Sequence, residues 1–259
     1  MNTDRSVAAC PSTSLASHRD RASSAASDEL PSRTPNLITC SLVGSPMLAN
    51  LCVAMPDDNG VDTTFWQPLT VQQTVELMAG LDAAWWIAGG WAIDLFLNRS
   101  TRNHNDTDVL ILRKDQTHVA RHFAKLDWEW WAVDRPGHLR PLERDEIVAA
   151  SVHDIWCRPD RRSPWALQLM LGESVGDRWI YRRDSHVTLP LSEVGLCTAD
   201  GVPYLAPQVE LLFKSQSPRP RDEADFSLAA PALQAPARQW LASAISRADT
   251  SHHWLTRLR

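Results

Sequence analysis

The chain has 259 residues, of which 44% are hydrophobic, and a formal net charge of −5. It can bury one good core, or a core and a small appended domain, and no apolar run reaches the ~18 residues that a membrane-spanning helix needs. The negative charge argues against a nucleic-acid-binding surface, which is normally basic. The five cysteines contain no C-x-x-C pair, so they indicate neither a zinc site nor a disulfide scaffold. We therefore expect a cytoplasmic protein that binds neither nucleic acid nor membrane.

The N-terminal part of the chain differs in composition from the rest. Residues 1–60 are rich in Ser, Ala and Thr and show no sustained hydrophobic periodicity. Such a segment cannot bury enough apolar surface to offset the entropy lost on ordering. We therefore predict a disordered extension over residues 1–60. From Thr70, which suits an N-cap position, apolar residues recur at helical spacing as far as Leu81, so the first helix is expected there.

A strand, a tight turn and a helix are predicted next. Trp85 to Ala88 form a short apolar run, Gly89 and Gly90 follow it, and Trp91 to Asn98 have helical spacing. Glycines at such a turn let the backbone approach a bound anion, and a helix N-terminus favours phosphate. The alternative is a close-packed turn without a ligand.

Two aspartates enter the strand that comes after this helix. Asp106 and Asp108 are two residues apart, and alternate residues of a strand point to the same side. Two neighbouring carboxylates repel each other unless a cation lies between them, and Mg²⁺ takes one or two carboxylates together with water and substrate phosphates. A metal site is therefore predicted, with a polar turn before a strand as the alternative.

The remaining pattern predicts an α+β fold with a mixed β-sheet flanked by helices. A helix is expected over Gln116–Leu126, with Leu126 facing inward, and strands over Trp128–Val133, Ile147–Cys157, Trp165–Leu171, Trp179–Tyr181 and Val194–Thr198. Helices are then expected over Pro207–Ser215, Asp222–Ala229 and Ala235–Ala244, ending in a polar tail. Most of the twelve tryptophans are expected in the core. The predicted domains are a sheet-containing domain over residues 66–200 and a helical region over residues 201–259.

The glycine pair and the aspartate pair together carry a resemblance. The pattern G-G, helix, T-R-x-H-x-D-x-D resembles the nucleotidyltransferase superfamily with the DNA polymerase β-like palm, through Gly89, Gly90, Thr101, Arg102, His104, Asp106 and Asp108. Within it, the spacing is most similar to the aminoglycoside nucleotidyltransferases that adenylylate a 2''-hydroxyl and to the lincosamide nucleotidyltransferases. A later run is similar to the helical K…R-x-[KR]-D-x-x-D segment of many of these proteins, through Lys214, Arg219, Asp222 and Asp225.

The resemblance implies Mg²⁺-dependent transfer of a nucleotidyl group, AMP from ATP, to a hydroxyl of a small molecule such as an aminoglycoside. The negative net charge would suit such a polycationic acceptor. The resemblance also implies that Asp106 and Asp108 hold the metal, and that the nucleotide is bound by Gly89, Gly90, Arg102 and Lys214. His104 is expected to order its loop by hydrogen bonding, because Mg²⁺ prefers oxygen ligands.

The sequence departs from the family at the third carboxylate. In active members, an Asp on a later strand shares the metal or takes the proton of the substrate hydroxyl. The corresponding strand here, Trp165–Leu171, has Gln168 at that position, and an amide cannot accept this proton. Asp154 and Glu173 are the alternatives, and Asp154 is preferred because Glu173 lies off the face of Gln168. If neither serves, the chain would be a catalytically weak nucleotide-binding or antitoxin-like homologue that acts through a protein partner.

Overall fold

The computed structural model describes residues 61–135, 137–143 and 146–259, so the extension predicted over residues 1–60 lies outside the described residues. The helices are α1 Val71–Leu77, α2 Gly89–Leu97, α3 Gln116–Lys125, α4 Leu191–Val194, α5 Pro207–Lys214, α6 Pro220–Ala229, α7 Ala235–Ala248 and α8 Leu255–Leu258. The strands are β1 Trp85–Ile87, β2 Asp108–Leu112, β3 Glu129–Arg135, β4 His138–Pro141, β5 Asp154–Arg158, β6 Leu167–Val175, β7 Arg178–Ile180, β8 Thr188–Pro190, β9 Gly195–Cys197 and β10 Pro203–Leu205.

The strands form a mixed sheet in the order β4-β3-β5-β6-β2-β1-β10-β9, and β7 and β8 extend from β6. The β2–β6 and β1–β10 pairs are parallel, and the other strand pairs are antiparallel. This confirms the predicted α+β fold class with a mixed sheet. β10 lies beyond residue 200 and pairs with β1, so the sheet uses residues on both sides of that position.

Strand β2 separates two apolar cores, as the alternation of its side chains requires. Val109 and Ile111 pack on one side of the sheet with α3 residues such as Phe123. Leu110 and Leu112 pack on the other side with the C-terminal helices α5–α8. Both faces of the sheet are therefore covered, and this fixes the positions of the residues that begin β2.

The predicted N-cap of the first helix is confirmed. Thr70 accepts a hydrogen bond from Gln73 N, and the Gln73 side chain accepts one from Thr70 N, which completes a capping box. In α3 the expected residues Val119 and Phe123 are buried, but Leu126 is exposed, so its predicted inward position was wrong. Leu126 is the residue at which the helix ends, and it therefore no longer follows the buried face.

The strand predicted over Ile147–Cys157 begins only at Asp154. Ile147 is exposed, and the carbonyl groups of Ala149 and Val152 accept hydrogen bonds from the Arg113 guanidinium. Because a side chain from elsewhere in the chain satisfies these carbonyls, the segment does not join the sheet. The short strands β4, β8 and β10 were not predicted, since three or four residues give too little periodicity.

The predicted polar tail was wrong, because the chain ends in α8. Trp254 is buried and stacks on Phe226 of α6, with ring centroids 4.1 Å apart and an interplanar angle of 6°. Leu255 and Leu258 are also buried against the C-terminal core. Three large side chains are too few to give a periodic pattern, although they suffice to anchor the last residues. Within the described residues, no helix is long and apolar enough to cross a membrane.

Candidate active site

A cleft of about 400 Å³ lies where β2, β5 and β6 meet helices α2, α5 and α6. All seven residues predicted for the site line it: Gly89, Gly90, Arg102, Asp106, Asp108, Asp154 and Lys214. A larger pocket of about 610 Å³, between α3 and the β3–β4 hairpin, contains none of them. The structure thus brings together residues that are up to 125 positions apart in sequence, from Gly89 to Lys214.

Strand register explains why the polar side chains share one face of the sheet. Asp108 pairs with Gln168 on the parallel strand β6, and Asp154 of β5 pairs with Met170. Residues directly opposite each other in a sheet, and residues two apart in a strand, point to the same side. From β5 through β6 to β2, the cleft floor therefore presents Asp154, Gln168 and Asp108 in that order.

The pKa of Asp108 is strongly perturbed. Burial raises its pKa to about 8, with the negative charges of Asp106, Glu210 and Asp154 adding to the effect and Lys214 opposing it. Asp108 therefore holds a proton at neutral pH when no cation is bound. A divalent cation between Asp106 and Asp108 would reverse this preference.

The glycine pair makes room for this crowding. Gly89 has a φ of +65°, and a β-carbon there would overlap the Asp108 carboxylate. A β-carbon at Gly90 would overlap the side chains of Arg102 and His104. The pair is thus a close-packed turn at the wall of the cleft. Whether it also holds a phosphate stays a prediction.

The start of α2 has no side-chain cap of its own. Gly89 N donates a hydrogen bond to Glu210 Oε2 of α5, at 3.0 Å. The carboxylate thus takes the place of a capping residue at a helix end that favours negative charge. This role of Glu210 was not predicted from the sequence. The available signal was the i,i+4 spacing of Glu210 and Lys214 on one helix.

Lys214 lies at the centre of a buried ion cluster. Its Nζ is 3.4 Å from Glu210 Oε1, 3.3 Å from Asp222 Oδ1 and 3.1 Å from Asp225 Oδ2. Burial alone would lower the pKa of Lys214, but these carboxylates raise it above its ordinary value. Arg102 contacts Asp225 at 3.4 Å, so the cluster joins α5 and α6 to the loop that leads into β2.

His104 orders the loop before β2, as predicted. Its Nε2 lies 2.7 Å from Asp94 Oδ2, and its ring lies against Trp91 with centroids 4.2 Å apart. Asp94 also accepts hydrogen bonds from the backbone N and hydroxyl of Thr101. Asp94 of α2 therefore holds both ends of the segment that delivers Asp106 to the cleft. This use of Asp94 was not predicted.

The structure separates the candidates for the third carboxylate. Gln168 Oε1 accepts a hydrogen bond from Trp156 Nε1 (3.0 Å), and Gln168 Nε2 donates to Asp154 Oδ1 (3.3 Å). Burial raises the pKa of Asp154, and no described side chain forms an ion pair with it within 4 Å. Glu173 contacts Arg113 at 2.6 Å and does not line the cleft. Of the two alternatives, only Asp154 shares the cleft with Asp108.

Two arginines in the turn after β7 also line the cleft and were not predicted. Arg182 lies over the Phe213 ring, 6.0 Å from its centroid, and Arg183 donates a hydrogen bond to Tyr181 Oη at 3.0 Å. The described lining contains six basic residues, Arg102, Arg182, Arg183, Lys214, Arg219 and Arg221, and five acidic ones, Asp106, Asp108, Asp154, Glu210 and Asp222. The negative net charge of the chain is thus not concentrated in the cleft.

The metal-binding potential of the cleft rests on few ligands. Among the described residues there is no group of three or more His, Cys, Asp or Glu side chains arranged to hold a metal ion. A pair of carboxylates such as Asp106 and Asp108 is nevertheless the protein contribution that Mg²⁺ commonly uses when substrate phosphates and water complete its shell. The donor set fits a metal that arrives together with a nucleotide.

Comparison with known families identifies the fold. The model of the aminoglycoside-2''-adenylyltransferase family matches residues 70–227, more than half of the chain. The chain belongs to this family. It is therefore a nucleotidyltransferase, and the matched range includes the glycine pair, all four cleft aspartates and the Lys214 cluster. No match is found among curated proteins.

Solved structures with a similar fold include two antibiotic adenylyltransferases. The crystal structure of ANT(2'')-Ia in complex with adenylyl-2''-tobramycin is 16% identical, has a TM-score of 0.45, and covers 69% of this chain and 98% of its own. Lincomycin-bound LnuA, a lincosamide antibiotic adenylyltransferase, is 13% identical with a TM-score of 0.44 and coverages of 62% and 97%. A nucleotidyltransferase-like protein from Paracoccidioides brasiliensis is 17% identical with a TM-score of 0.39 and coverages of 73% and 89%.

The raised pKa of Asp108 predicts how the stability of this nucleotidyltransferase depends on pH. Its folded-state pKa of about 8 lies above the ordinary value of 3.8, so its contribution to stability is complete below pH 3.8 and is lost as pH rises through 8. Without metal, Asp108→Asn should match the parent below about pH 3.8, and its advantage in melting temperature should grow as pH rises from 5 to 9. Thermal unfolding in EDTA measures this. Asp177→Asn, on an exposed turn, is the control, and a difference that does not grow with pH would contradict the assignment.

Proposed function

We propose that this enzyme transfers AMP from Mg²⁺-bound ATP to a hydroxyl of a small molecule. The observation that carries the proposal is the juxtaposition, in one cleft, of Asp106, Asp108 and Asp154 beside the N-terminus of α2. Phosphoryl-type transfer needs in-line positioning and charge neutralisation more than covalent catalysis by side chains. A cleft that offers paired carboxylates, basic side chains and a helix N-terminus meets those needs.

Asp106 and Asp108 would hold the magnesium. When bound, the metal neutralises charge on the phosphates and on the attacking oxygen. Burial and the negative charges of Asp106 and Glu210 disfavour ionisation of Asp108. A cation bound between Asp106 and Asp108 would offset this repulsion and stabilise the ionised carboxylates. The oxygen-only donor set suits Mg²⁺ better than zinc.

The triphosphate would lie against the glycine turn and the basic side chains next to it. Gly90, at the start of α2, would offer the phosphates the positive end of the helix dipole, while Gly89 N is held by Glu210. Arg102 and Lys214 add positive charge from the β2 loop and from α5. Lys214 is enclosed by three carboxylates, so its main effect is to keep their combined charge from repelling the nucleotide.

Asp154 would act as the general base. The acceptor hydroxyl gives its proton to the Asp154 carboxylate, its oxygen forms a bond to the α-phosphorus of ATP, and the bond from that phosphorus to the bridging oxygen breaks to release pyrophosphate. Burial raises the pKa of Asp154 above its ordinary value, which makes it a stronger base. The Gln168 amide, itself held by Trp156, orients the carboxylate.

The family points to an antibiotic as the acceptor. Its name describes adenylylation of aminoglycosides at the 2''-hydroxyl, and LnuA acts on lincosamides. We propose an antibiotic hydroxyl as the acceptor class and the cytoplasm, where ATP is plentiful, as the site of action. The alternative, a nucleotide-binding protein that transfers nothing and acts through a protein partner, is favoured by Gln168 at the position opposite Asp108.

The metal assignment predicts a loss of transfer without a loss of fold. Asp106→Asn and Asp108→Asn should each lower transfer of label from [α-³²P]ATP to an acceptor by more than tenfold, with circular dichroism unchanged. The assay uses tobramycin, lincomycin and simple sugars as acceptors, and calorimetric titration with Mg²⁺·ATP runs beside it. Activity above a tenth of the parental rate in Asp108→Asn would refute the metal assignment, and binding of Mg²⁺·ATP without transfer to any acceptor would support the non-catalytic alternative.

The base assignment predicts a different profile. Asp154→Asn should lower kcat by roughly 10²- to 10⁴-fold, the usual range for general-base catalysis, and leave the Kd for Mg²⁺·ATP little changed. Glu173→Gln is the matched control and should retain full activity, because Glu173 is held by Arg113 outside the cleft. Equal kcat values for the parent and Asp154→Asn would exclude Asp154 as the base.

A further inference from the structure

A smaller cavity, of about 150 Å³, lies at the other end of β5 from the candidate base. Asp154 begins β5 and Arg158 ends it, and four residue steps of a strand span about 13 Å. None of the described residues that line this cavity also lines the cleft. Its charged and aromatic lining consists of Arg158, Arg161, Arg162, Asp62, Phe65 and Trp165. The reaction proposed above gives these three arginines no role.

Arg158 is a buried cation with free hydrogen-bond donors. It is only 6% exposed, and its guanidinium lies 4.3 Å from the centroid of the Trp165 ring and 5.1 Å from that of Trp131. Its Nε donates a hydrogen bond to Glu129 Oε2 at 3.1 Å. A guanidinium has five N–H donors, and no described residue accepts a hydrogen bond from the other four. Because buried donors are normally satisfied, the two terminal amino groups require an acceptor in the cavity.

Arg161 and Arg162 add two more positive charges. Both are exposed and lie in the turn that connects β5 to β6. The Asp160 carboxylate fixes this turn, because it accepts hydrogen bonds from Arg162 N and from the backbone N and hydroxyl of Ser163. Neither guanidinium forms an ion pair or a hydrogen bond with a described residue. Both are therefore available to a ligand in the cavity.

The nearby carboxylates are already engaged in hydrogen bonds. Asp62 Oδ1 accepts from the backbone N and the hydroxyl of Thr64. Glu129 Oε2 accepts from Arg158 Nε and from Trp131 Nε1. Of the charged side chains in the described lining, three are positive and one is negative. The balance at the cavity is therefore positive, and a bound anion would reduce the repulsion between the guanidinium groups.

The size of the cavity and its donors define the class of ligand. Pockets for drug-sized ligands measure roughly 300–1,000 Å³. A cavity of about 150 Å³ is therefore suited to a small ion and not to a nucleotide. The terminal amino groups of an arginine form a planar fork that matches two oxygens of a phosphate or a carboxylate. A cation would meet three guanidinium groups, and an apolar ligand would leave the donors of Arg158 unsatisfied.

We propose that Arg158, Arg161 and Arg162 form a binding site for a small oxyanion, a phosphate or carboxylate group, outside the active-site cleft. Arg158 supplies a fork that the two tryptophan rings and Glu129 hold in place, and the turn supplies the other two charges. The site is independent of AMP transfer, since none of its described residues lines the cleft.

Thermal unfolding in inorganic phosphate tests the site, because a ligand of the folded state raises the melting temperature. Sodium phosphate replaces NaCl at constant ionic strength. The melting temperature of the parent should rise, and Arg161→Gln/Arg162→Gln should lose most of this rise. The control Arg99→Gln/Arg121→Gln removes two exposed arginines that line neither cavity, changes the net charge equally and should keep the rise. General stabilisation by phosphate is common to all three proteins. Equal rises in the parent and in Arg161→Gln/Arg162→Gln would overturn the proposal.

Acetate in place of phosphate distinguishes the two sources of the oxyanion. The comparison is made at a pH where phosphate, like acetate, carries one charge. A larger difference between the parent and Arg161→Gln/Arg162→Gln in phosphate would assign the site to a phosphate group, and a larger difference in acetate would assign it to a carboxylate. The absence of a difference in both anions would rule the site out.

Saturation of the cleft separates this site from the nucleotide. The phosphate series is repeated with the magnesium complex of a non-hydrolysable ATP analogue bound. The difference between the parent and Arg161→Gln/Arg162→Gln should persist, and the two proteins should bind the complex equally well. If the bound complex abolishes the difference, the arginines belong to the nucleotide site and the proposal is wrong.

Discussion

The crowding of carboxyl groups around Asp108 is the constraint on which the rest of the site depends. Asp106, Asp154 and Glu210 all act on it and make its ionisation unfavourable. Such a concentration of acidic groups persists only if the surrounding structure holds it in place. The positive φ of Gly89, the register that sets Asp108 opposite Gln168, and the Lys214 cluster each contribute to that hold.

The C-terminal helices are part of the site. Glu210 of α5 caps α2, and Lys214 connects that contact to Asp222 and Asp225 of α6, while the same helices bury an apolar face against the sheet. A buried ion cluster contributes little net stability by itself. Removal of one partner is nevertheless destabilising, because it leaves the buried charges of the other partners uncompensated. Loss of packing in this region would therefore disturb the glycine turn and the metal aspartates together.

Local patterns predicted the parts of the site that are close in sequence. The strand, glycine turn and helix, the two aspartates that line one cleft and the role of His104 all follow from periodicity and side-chain chemistry over some 25 residues, although Asp106 precedes β2 and is not part of it. Glu210, Arg182 and Arg183 could not be predicted in this way, because their roles arise from helix packing and from strand pairing between distant segments. Asp154 was preferred to Glu173 from the alternation of side chains, and in the structure Asp154 lines the cleft whereas Glu173 is held by Arg113 outside it.

Proton release on metal binding shows whether Asp108 is protonated before the metal binds. A group with a pKa of about 8 is mostly protonated at pH 7 and must lose its proton when it binds Mg²⁺. The magnesium complex of a non-hydrolysable ATP analogue is titrated into the parent and into Asp108→Asn, in two buffers that differ in ionisation enthalpy. We expect the parent to release about one proton more than the variant at pH 7, and this difference to disappear above pH 9. Equal proton release by the two proteins at pH 7 would contradict it.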